Sequence, residues 1–146
     1  MARFKDKTEF KKVFDKLFHL MSTDSEVGPK LRGAKSPQRF EFTDVGMVLN
    51  VRDADEKSAG RGQHLIWVWG NEKCDWEPLV TLQMTADVAN RYFQGRQNIA
   101  VSVATEQIII KSGDMAKTLA LIPLTAPIYK KYQKMLKDDG LDHLLA

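Results

Sequence analysis

The chain has 146 residues, of which 43% are hydrophobic and 28% charged, and a formal net charge of +3. This length and composition are typical of one soluble globular domain and exclude a disordered chain. No apolar run approaches the roughly 20 residues of a membrane-spanning helix, and the N-terminus lacks the apolar core of a secretory signal. The single cysteine, Cys74, excludes an internal disulfide. We therefore expect a cytoplasmic protein.

Helical periodicity begins near the N-terminus. Apolar side chains recur at helical spacing, with lysines between them, at Phe10, Val13, Phe14, Leu17, Phe18 and Met21. Asp6 and Glu9 are spaced as a capping pair, so the sequence predicts a helix over 7–22. The glycines and prolines of residues 22–37 predict a connector with room for one short helical turn.

The middle of the chain has strand character. Apolar and polar residues alternate around Phe40 and Phe42, and again over 47–51 after a turn. The segments 64–70 and 79–84 are short and largely apolar, which predicts two further strands. The polar stretch between the second and third strands predicts a loop. Together the four strands predict an antiparallel meander.

Helix and strand signals alternate after the meander. Thr85 is a candidate N-cap for a helix that ends near Gly95. Residues 98–104 fit either a short helix or a strand. The three isoleucines within 106–111 predict a last strand, in which Ile109 faces one way while its two neighbours face the other.

Two helices are predicted at the C-terminal end. Asp114 caps the first, and Pro123 ends it. The second, over 126–138, is amphipathic, and its polar face carries Lys130, Lys131, Lys134 and Lys137. The order of all these elements predicts an α+β fold, with a sheet covered by helices on one side.

Candidate catalytic groups are few and scattered. His19, His64 and His143 lie in a helix, at a strand start and in the tail, with no pair at metal-ligand spacing. No nucleophile motif stands near a histidine, and residues 111–114 lack the spaced glycines of a phosphate loop. We therefore predict a protein that is not an enzyme and has no catalytic residue, metal or cofactor. The basic ends lack an aromatic–basic stripe, so nucleic acid is not an expected partner.

The apolar side chains exceed what a thin two-layer core requires. Trp67 and Trp69 project from one face of their strand, whereas Ile66 and Val68 project from the other, so one row lacks an evident partner. Apolar helices also flank the sheet at both ends of the chain. Three interpretations stay open: a thick core, a dimer interface, or an internal cavity for an apolar ligand.

Residues 79–124 carry a series of short motifs in a fixed order. A strand with an apolar-Thr-apolar pattern and Met precedes a short helix closed by Gly, an Asn-containing segment, a strand that leads to Gly-Asp, and an Ala/Leu-rich helix. The matching residues are Thr81, Leu82, Met84, Gly95, Asn98, Ile108, Ile110, Gly113, Asp114, Met115, Leu119 and Leu121. This order and spacing resemble the sterol carrier protein type 2 family of lipid-binding domains. The family commonly has Lys where this chain has Ile109.

The resemblance implies a sheet of about five strands, mostly antiparallel, with helices that cover one face and enclose a hydrophobic tunnel. Domains of this family bind and carry fatty-acyl chains, sterols or related lipids, and alone they catalyse nothing. The resemblance treats residues 1–146 as a single lipid-carrier-like domain, with the sheet and its helices over 38–124. By carry-over, the ligand-binding wall is built from Trp67, Trp69, Phe93, Ile99, Val103, Ile108, Ile110, Met115, Leu119 and Ile122.

The expected partner is therefore a lipid or fatty acid, with the tryptophans narrowing the tunnel in favour of a linear chain over a rigid sterol. The basic C-terminal helix is a candidate for transient contact with an anionic membrane surface. The alternative function is a structural or interaction module of the same fold without lipid cargo, which forms a homodimer or docks on an enzyme.

Overall fold

The computed structural model describes residues 3–146. Its elements, in chain order, are α1 (Lys7–Thr23), α2 (Val27–Ala34), β1 (Gln38–Phe42), β2 (Met47–Asp53), α3 (Glu56–Gly60), β3 (Leu65–Trp69), β4 (Val80–Met84), α4 (Ala86–Tyr92), α5 (Ile99–Ala104), β5 (Ile109–Ser112), α6 (Met115–Thr125), α7 (Ile128–Asp138) and a final 3-10 turn (Asp142–Leu144). None of the helices in this part of the chain is long and apolar enough to cross a membrane.

The strands form one five-stranded sheet in the order β3-β2-β1-β4-β5. Neighbouring strands are antiparallel except β1 and β4, which are parallel, with Phe40 opposite Leu82. The predicted α+β fold with a mostly antiparallel five-stranded sheet is therefore confirmed. The predicted meander is wrong at its last strand, because β4 pairs with β1 and not with β3.

The connection between β3 and β4 explains this difference. Residues 70–79 return across the uncovered face of the sheet, where Asn50 is fully buried. Asn50 Nδ2 donates hydrogen bonds to the Gly70 carbonyl at 2.8 Å and to Asn71 Oδ1 at 2.9 Å. These bonds join residues that are distant in the sequence, so local strand patterns do not reveal the crossing.

The opposite face of the sheet is covered by helices. Helix α1 begins as predicted, because the Asp6 carboxylate accepts a hydrogen bond from the Glu9 amide at 2.8 Å. Its apolar face then lies on the sheet, where the Phe10 and Phe14 rings contact Phe42 at centroid distances of 4.8 and 5.7 Å. Burial of such rings is the largest single source of stability in a core of this size.

Three stretches are more helical than the sequence predicts. The Asp24 carboxylate accepts from the Val27 amide at 2.9 Å and so starts α2 within the predicted connector. Asp55 likewise caps α3 within the predicted loop, accepting from the Ser58 amide at 2.8 Å. Pro123 lies inside α6, which continues to Thr125, so the prediction that this proline ends the helix is wrong. Its missing N–H removes one hydrogen-bond donor from the helix but does not end the helix.

Buried amides tie the C-terminal segment to the core. The Tyr132 hydroxyl, fully buried in α7, donates to Asn90 Oδ1 at 2.7 Å. Asn90 Nδ2 and Gln94 Nε2 both donate to the Leu144 carbonyl, at 2.8 and 2.9 Å. Since every member of this network has a partner, α7 and the final turn are held against α4.

Candidate functional site

A mostly apolar cavity lies between the covered face of the sheet and helices α1, α2, α4 and α6. It is lined by Phe18, Met21, Leu31, Ser36, Gln38, Phe40, Val51, Arg52, Asp53, Leu65, Val80, Leu82, Met84, Tyr92, Phe93, Ile99, Thr118, Leu121 and Thr125. Among the strand residues, Phe40, Val51 and Leu82 share one face through the pairing of β1 with β2 and β4. The cavity therefore sits on the sheet, with α6 as its outer cover.

The cavity is small as it stands. Its volume is ≈ 50 Å³, room for a few water molecules at about 10–15 Å³ each. Sites for small organic ligands usually measure about 300–1,000 Å³. A chain-shaped ligand therefore fits only if part of the wall moves outward.

Helix α6 covers the cavity with few buried side chains. Its buried residues are Thr118, Leu121 and Thr125, and the rest of the helix is half-buried or exposed. The two threonine hydroxyls donate to carbonyls one turn earlier, Asp114 at 3.1 Å and Leu121 at 3.0 Å. The hydroxyls are thus bonded within α6, and Thr125 also has a hydrogen bond with Tyr92 of α4. Leu121 is the one aliphatic side chain among the buried residues of this cover.

Polar groups occupy two places on the cavity wall. Ser36, Gln38, Arg52 and Asp53 cluster where β1 begins and β2 ends, and Arg52 Nη2 lies 4.0 Å from Asp53 Oδ1. On α4, burial raises the pKa of the Tyr92 hydroxyl above its ordinary value, and a hydrogen bond with Thr125 offsets this only in part. Tyr92 is therefore a neutral hydroxyl in the wall at physiological pH.

The lining also limits the chemistry that the cavity can perform. It contains no histidine or cysteine, and its one carboxylate lies beside an arginine. Within residues 3–146 no group of three His, Cys, Asp or Glu side chains is placed to hold a metal ion. The arrangement favours burial of an apolar group over acid–base or metal chemistry.

Two of the residues expected in a ligand-binding wall, Phe93 and Ile99, line this cavity. The isoleucines of the last strand divide as the alternation predicts, since Ile108 is fully buried and Ile110 half-buried, whereas Ile109 is 44% exposed. Ile108 and Ile110 belong to the core around the cavity without lining it. As ligand contacts they stay predictions.

The tryptophans lie elsewhere on the same face. Trp67 and Trp69 pack beneath α1, where both indole Nε1 atoms donate to Asp15 Oδ1, at 3.1 and 2.7 Å. Neither lines the cavity. The expectation that they narrow the cavity in favour of a linear chain therefore has no basis in this structure, and their contact with a ligand would require the cavity to extend beneath α1.

The remaining expected residues are divided between the core margin and the surface. Val103 is half-buried against the core, and Met115 is half-buried at the start of α6. Leu119, which is exposed, and Ile122, which is half-buried against the core, line a surface groove beside Tyr129. Neither of them lines the internal cavity.

Sequence reasoning missed several cavity residues. Leu31 and Ser36 belong to the stretch that we expected to be a connector, because its glycines and prolines obscured α2. Thr118 and Thr125 carried no sequence signal for a buried position, since threonine is mostly exposed in proteins. A sequence signal that could have pointed to this wall is the spacing of Val80 and Leu82 in β4, two positions apart and so on one face of the strand.

Solved structures share this architecture, although no family model matches the sequence and no curated protein does. Sterol carrier protein 2 from Yarrowia lipolytica superposes with a TM-score of 0.58 at 14% identity, over 88% of this chain and 98% of that one. A ubiquinone synthesis protein, UbiJ-SCP2, gives 0.57 at 11% identity, over 84% and 93%. The chain has the sterol carrier protein 2 fold.

The fold of this chain also matches a part of a larger enzyme. A stereoselective inverting sec-alkylsulfatase from Pseudomonas matches with a TM-score of 0.56 at 17% identity, over 75% of this chain. The chain spans only 16% of the length of that sulfatase. At such low identities the likeness concerns the fold, and it confirms the resemblance read from residues 79–124 at that level.

Proposed function

We propose that the protein binds and carries an apolar lipid in the cytoplasm without catalysing a reaction. The lipid lies on the covered face of the sheet, beneath α6. The observation that carries this proposal is an apolar cavity closed by a helix whose buried contacts are Thr118, Leu121 and Thr125. Two structural neighbours are named a sterol carrier protein and a ubiquinone synthesis protein, and both names refer to lipids.

Burial of the chain supplies the binding energy. Removal of about 300 Å² of apolar surface from water contributes about 7 kcal/mol at roughly 25 cal/mol per Å². Outward movement of α6 and the ordering of the ligand reduce this figure. The few polar groups of the wall then orient the ligand more than they hold it.

The test combines ligand detection with a variant that fills the cavity. Native mass spectrometry of gently purified protein reports co-purified lipid, and titration with cis-parinaric acid, a fluorescent fatty acid, reports affinity. Leu121→Trp replaces an isobutyl side chain by a larger indole ring in the cavity and is expected to weaken probe binding at least tenfold. Ala120→Trp is the matched control, because Ala120 is exposed on the same helix and should leave affinity unchanged.

Folding of the variants is verified by circular dichroism. Thr118→Leu provides a milder second filling variant, since it adds volume at a buried position without a large ring. Absence of both co-purified lipid and probe binding in the unmodified protein would overturn the proposal. So would equal probe affinity in folded Leu121→Trp and Ala120→Trp.

The uncovered face gives weaker support to an interaction module without cargo. Ile66 and Ile109 are exposed there, at 38% and 44%, but they lie on opposite edge strands. Arg39 and Glu41 of β1 lie between them, so they form no continuous apolar patch. A lipid-free mass together with a dimer in solution is the result that would favour this alternative.

A further inference from the structure

A surface groove runs between the loop after α4, the outer side of α6 and the start of α7. Its volume is ≈ 590 Å³, and it is lined by Tyr92, Gly95, Arg96, Gln97, Asn98, Ile99, Ala100, Leu119, Ile122 and Tyr129. This groove is separate from the internal cavity but adjoins it. Its size is that of an ordinary small-molecule site.

Two side chains separate the groove from the cavity. Tyr92 and Ile99 line both spaces, and they are 9% and 4% exposed. Tyr92 is bonded to Thr125 of α6. An outward shift of α6 would therefore release the Tyr92 hydroxyl and open the groove into the cavity, so that one continuous channel results.

The groove offers an apolar wall to a ligand. Leu119 is 37% exposed, and Ile122 and Tyr129 are half-buried beside it. These side chains belong to two different helices. An alkyl chain that crosses the groove would cover all three of them and remove their apolar surface from water.

One end of the groove carries a single positive charge. Arg96 is exposed, and no carboxylate lines the groove. Its position is fixed by Gly95, whose φ is +73° and whose Cα lies so close to Tyr129 that an added Cβ would be 2.6 Å from Cδ2 of that ring. The Arg96 amide also donates to the Arg91 carbonyl at 2.9 Å. The backbone of Arg96 is thus held at the groove, whose lining contains no carboxylate.

The polar cluster of the cavity wall where β1 begins and β2 ends, called the far cluster below, differs from the groove in its charges. Arg52 lines the cavity together with Asp53, 4.0 Å away, so an anion placed there meets a carboxylate as well as a guanidinium. The groove presents only the cation. One guanidinium binds a carboxylate through two parallel hydrogen bonds and matches its single charge, whereas a phosphate monoester carries more charge than it neutralises.

From this asymmetry we infer that the groove is the entrance of the binding site and that Arg96 holds the carboxylate of a single-chain acidic lipid. The chain then passes between Tyr92 and Ile99 into the cavity. This inference rests on the proposed function and adds an orientation to it, with the head group at the groove and the tail on the sheet. Arg96 is thereby the residue that distinguishes an acidic lipid from a neutral one.

The experiment compares hexadecanoic acid with hexadecanol, two ligands of equal chain length, by competition against cis-parinaric acid. We expect the acid to bind the unmodified protein at least tenfold more tightly than the alcohol. Arg96→Gln should remove most of this preference and leave hexadecanol affinity unchanged, while Arg96→Lys should restore part of it. Arg61→Gln is the control, since Arg61 is exposed at the end of α3, outside the lining of both spaces.

Arg52→Gln tests the orientation. If the carboxylate lay at the far cluster, this variant and not Arg96→Gln would reduce the preference for the acid, and the inference would be overturned. The inference would also be overturned if Arg96→Gln and the unmodified protein bound hexadecanoic acid equally tightly. The proposed function would stand in that case, because both ligands bind. Failure of both ligands to bind the unmodified protein would remove the proposed function itself.

Discussion

The covered face of the sheet is packed in two different ways. Beneath α1 the aromatic rings pack closely. The centroid of the Phe14 ring lies 4.5 Å from that of Phe10, 5.7 Å from that of Phe42 and 5.9 Å from that of Phe93. Beneath α6 the same face borders a cavity, closed mainly by Leu121 and two threonines. One sheet thus supports a close-packed half and a loosely covered half.

This difference in packing gives the two halves different roles, one in stability and the other in ligand binding. Close packing beneath α1 resists any change of volume, so this half is suited to hold the fold. Few buried apolar contacts make a segment easier to open, and α6 is such a segment. A lipid site can therefore open beneath α6 without loss of the core that positions the sheet.

The strongest test of this comparison removes a large side chain from each half. Phe14→Ala leaves a cavity among tightly packed rings and is expected to reduce the free energy of unfolding by about 3–5 kcal/mol. Leu121→Ala enlarges a space that already exists and should cost less, about 2 kcal/mol or below. Urea denaturation of both variants measures the two values. Equal costs would show that the halves are packed alike.

The sequence predicted the close-packed half better than the loosely covered one. The periodicity of Phe10, Phe14 and Phe18 and the Asp6 cap are local signals, and they located α1 almost to the residue. Within the same half, however, the bonds from Trp67 and Trp69 to Asp15 join residues more than 50 positions apart. No local pattern in the sequence encodes such contacts.

The cavity was less predictable for a related reason. The surplus of apolar residues left a cavity as one of three interpretations, and the family resemblance implied it, but the walls depend on where the helices pack. Leu119 and Leu121 are close in sequence and similar in type, yet one is 37% and the other 7% exposed. The rotation of α6, and its continuation past Pro123, decides which of them covers the cavity.

A second prediction concerns the junction that fixes the start of α6. Gly113 has a φ of +84°, and an added Cβ would lie 2.5 Å from the Leu79 carbonyl oxygen. Gly113→Ala therefore combines backbone strain with a clash against a neighbouring strand, and we expect it to reduce the free energy of unfolding by about 2–3 kcal/mol.

Gly46→Ala is the matched control for this junction. Its φ is +63°, but no atom lies within 4 Å of the added Cβ, so it should cost about 1 kcal/mol from backbone strain alone. Thermal denaturation ranks the two variants. Gly113→Ala could instead reduce the free energy of unfolding no more than Gly46→Ala does. The junction would then be as loosely packed as α6, and the loosely covered half would extend into β5.

The last prediction concerns α7. Its apolar face is committed to the core, since Ile128, Tyr132 and Leu136 are fully buried. The helix therefore cannot insert that face into a bilayer, and any contact with an anionic membrane depends on its lysines. Lys131 is already paired with Asp24, and Lys134 with Asp138.

Simultaneous change of Lys130, Lys131, Lys134 and Lys137 to Gln is expected to weaken adsorption to anionic vesicles at low salt, by at most about 1 kcal/mol per lysine. Because two of the four are paired, Lys130→Gln with Lys137→Gln should produce most of the loss. Vesicle co-sedimentation across a salt series measures both variants, with neutral vesicles as the control. Adsorption that the fourfold change leaves intact at low salt would exclude α7 as the membrane contact and leave the outer side of α6, with its exposed Leu119, as the surface to test next.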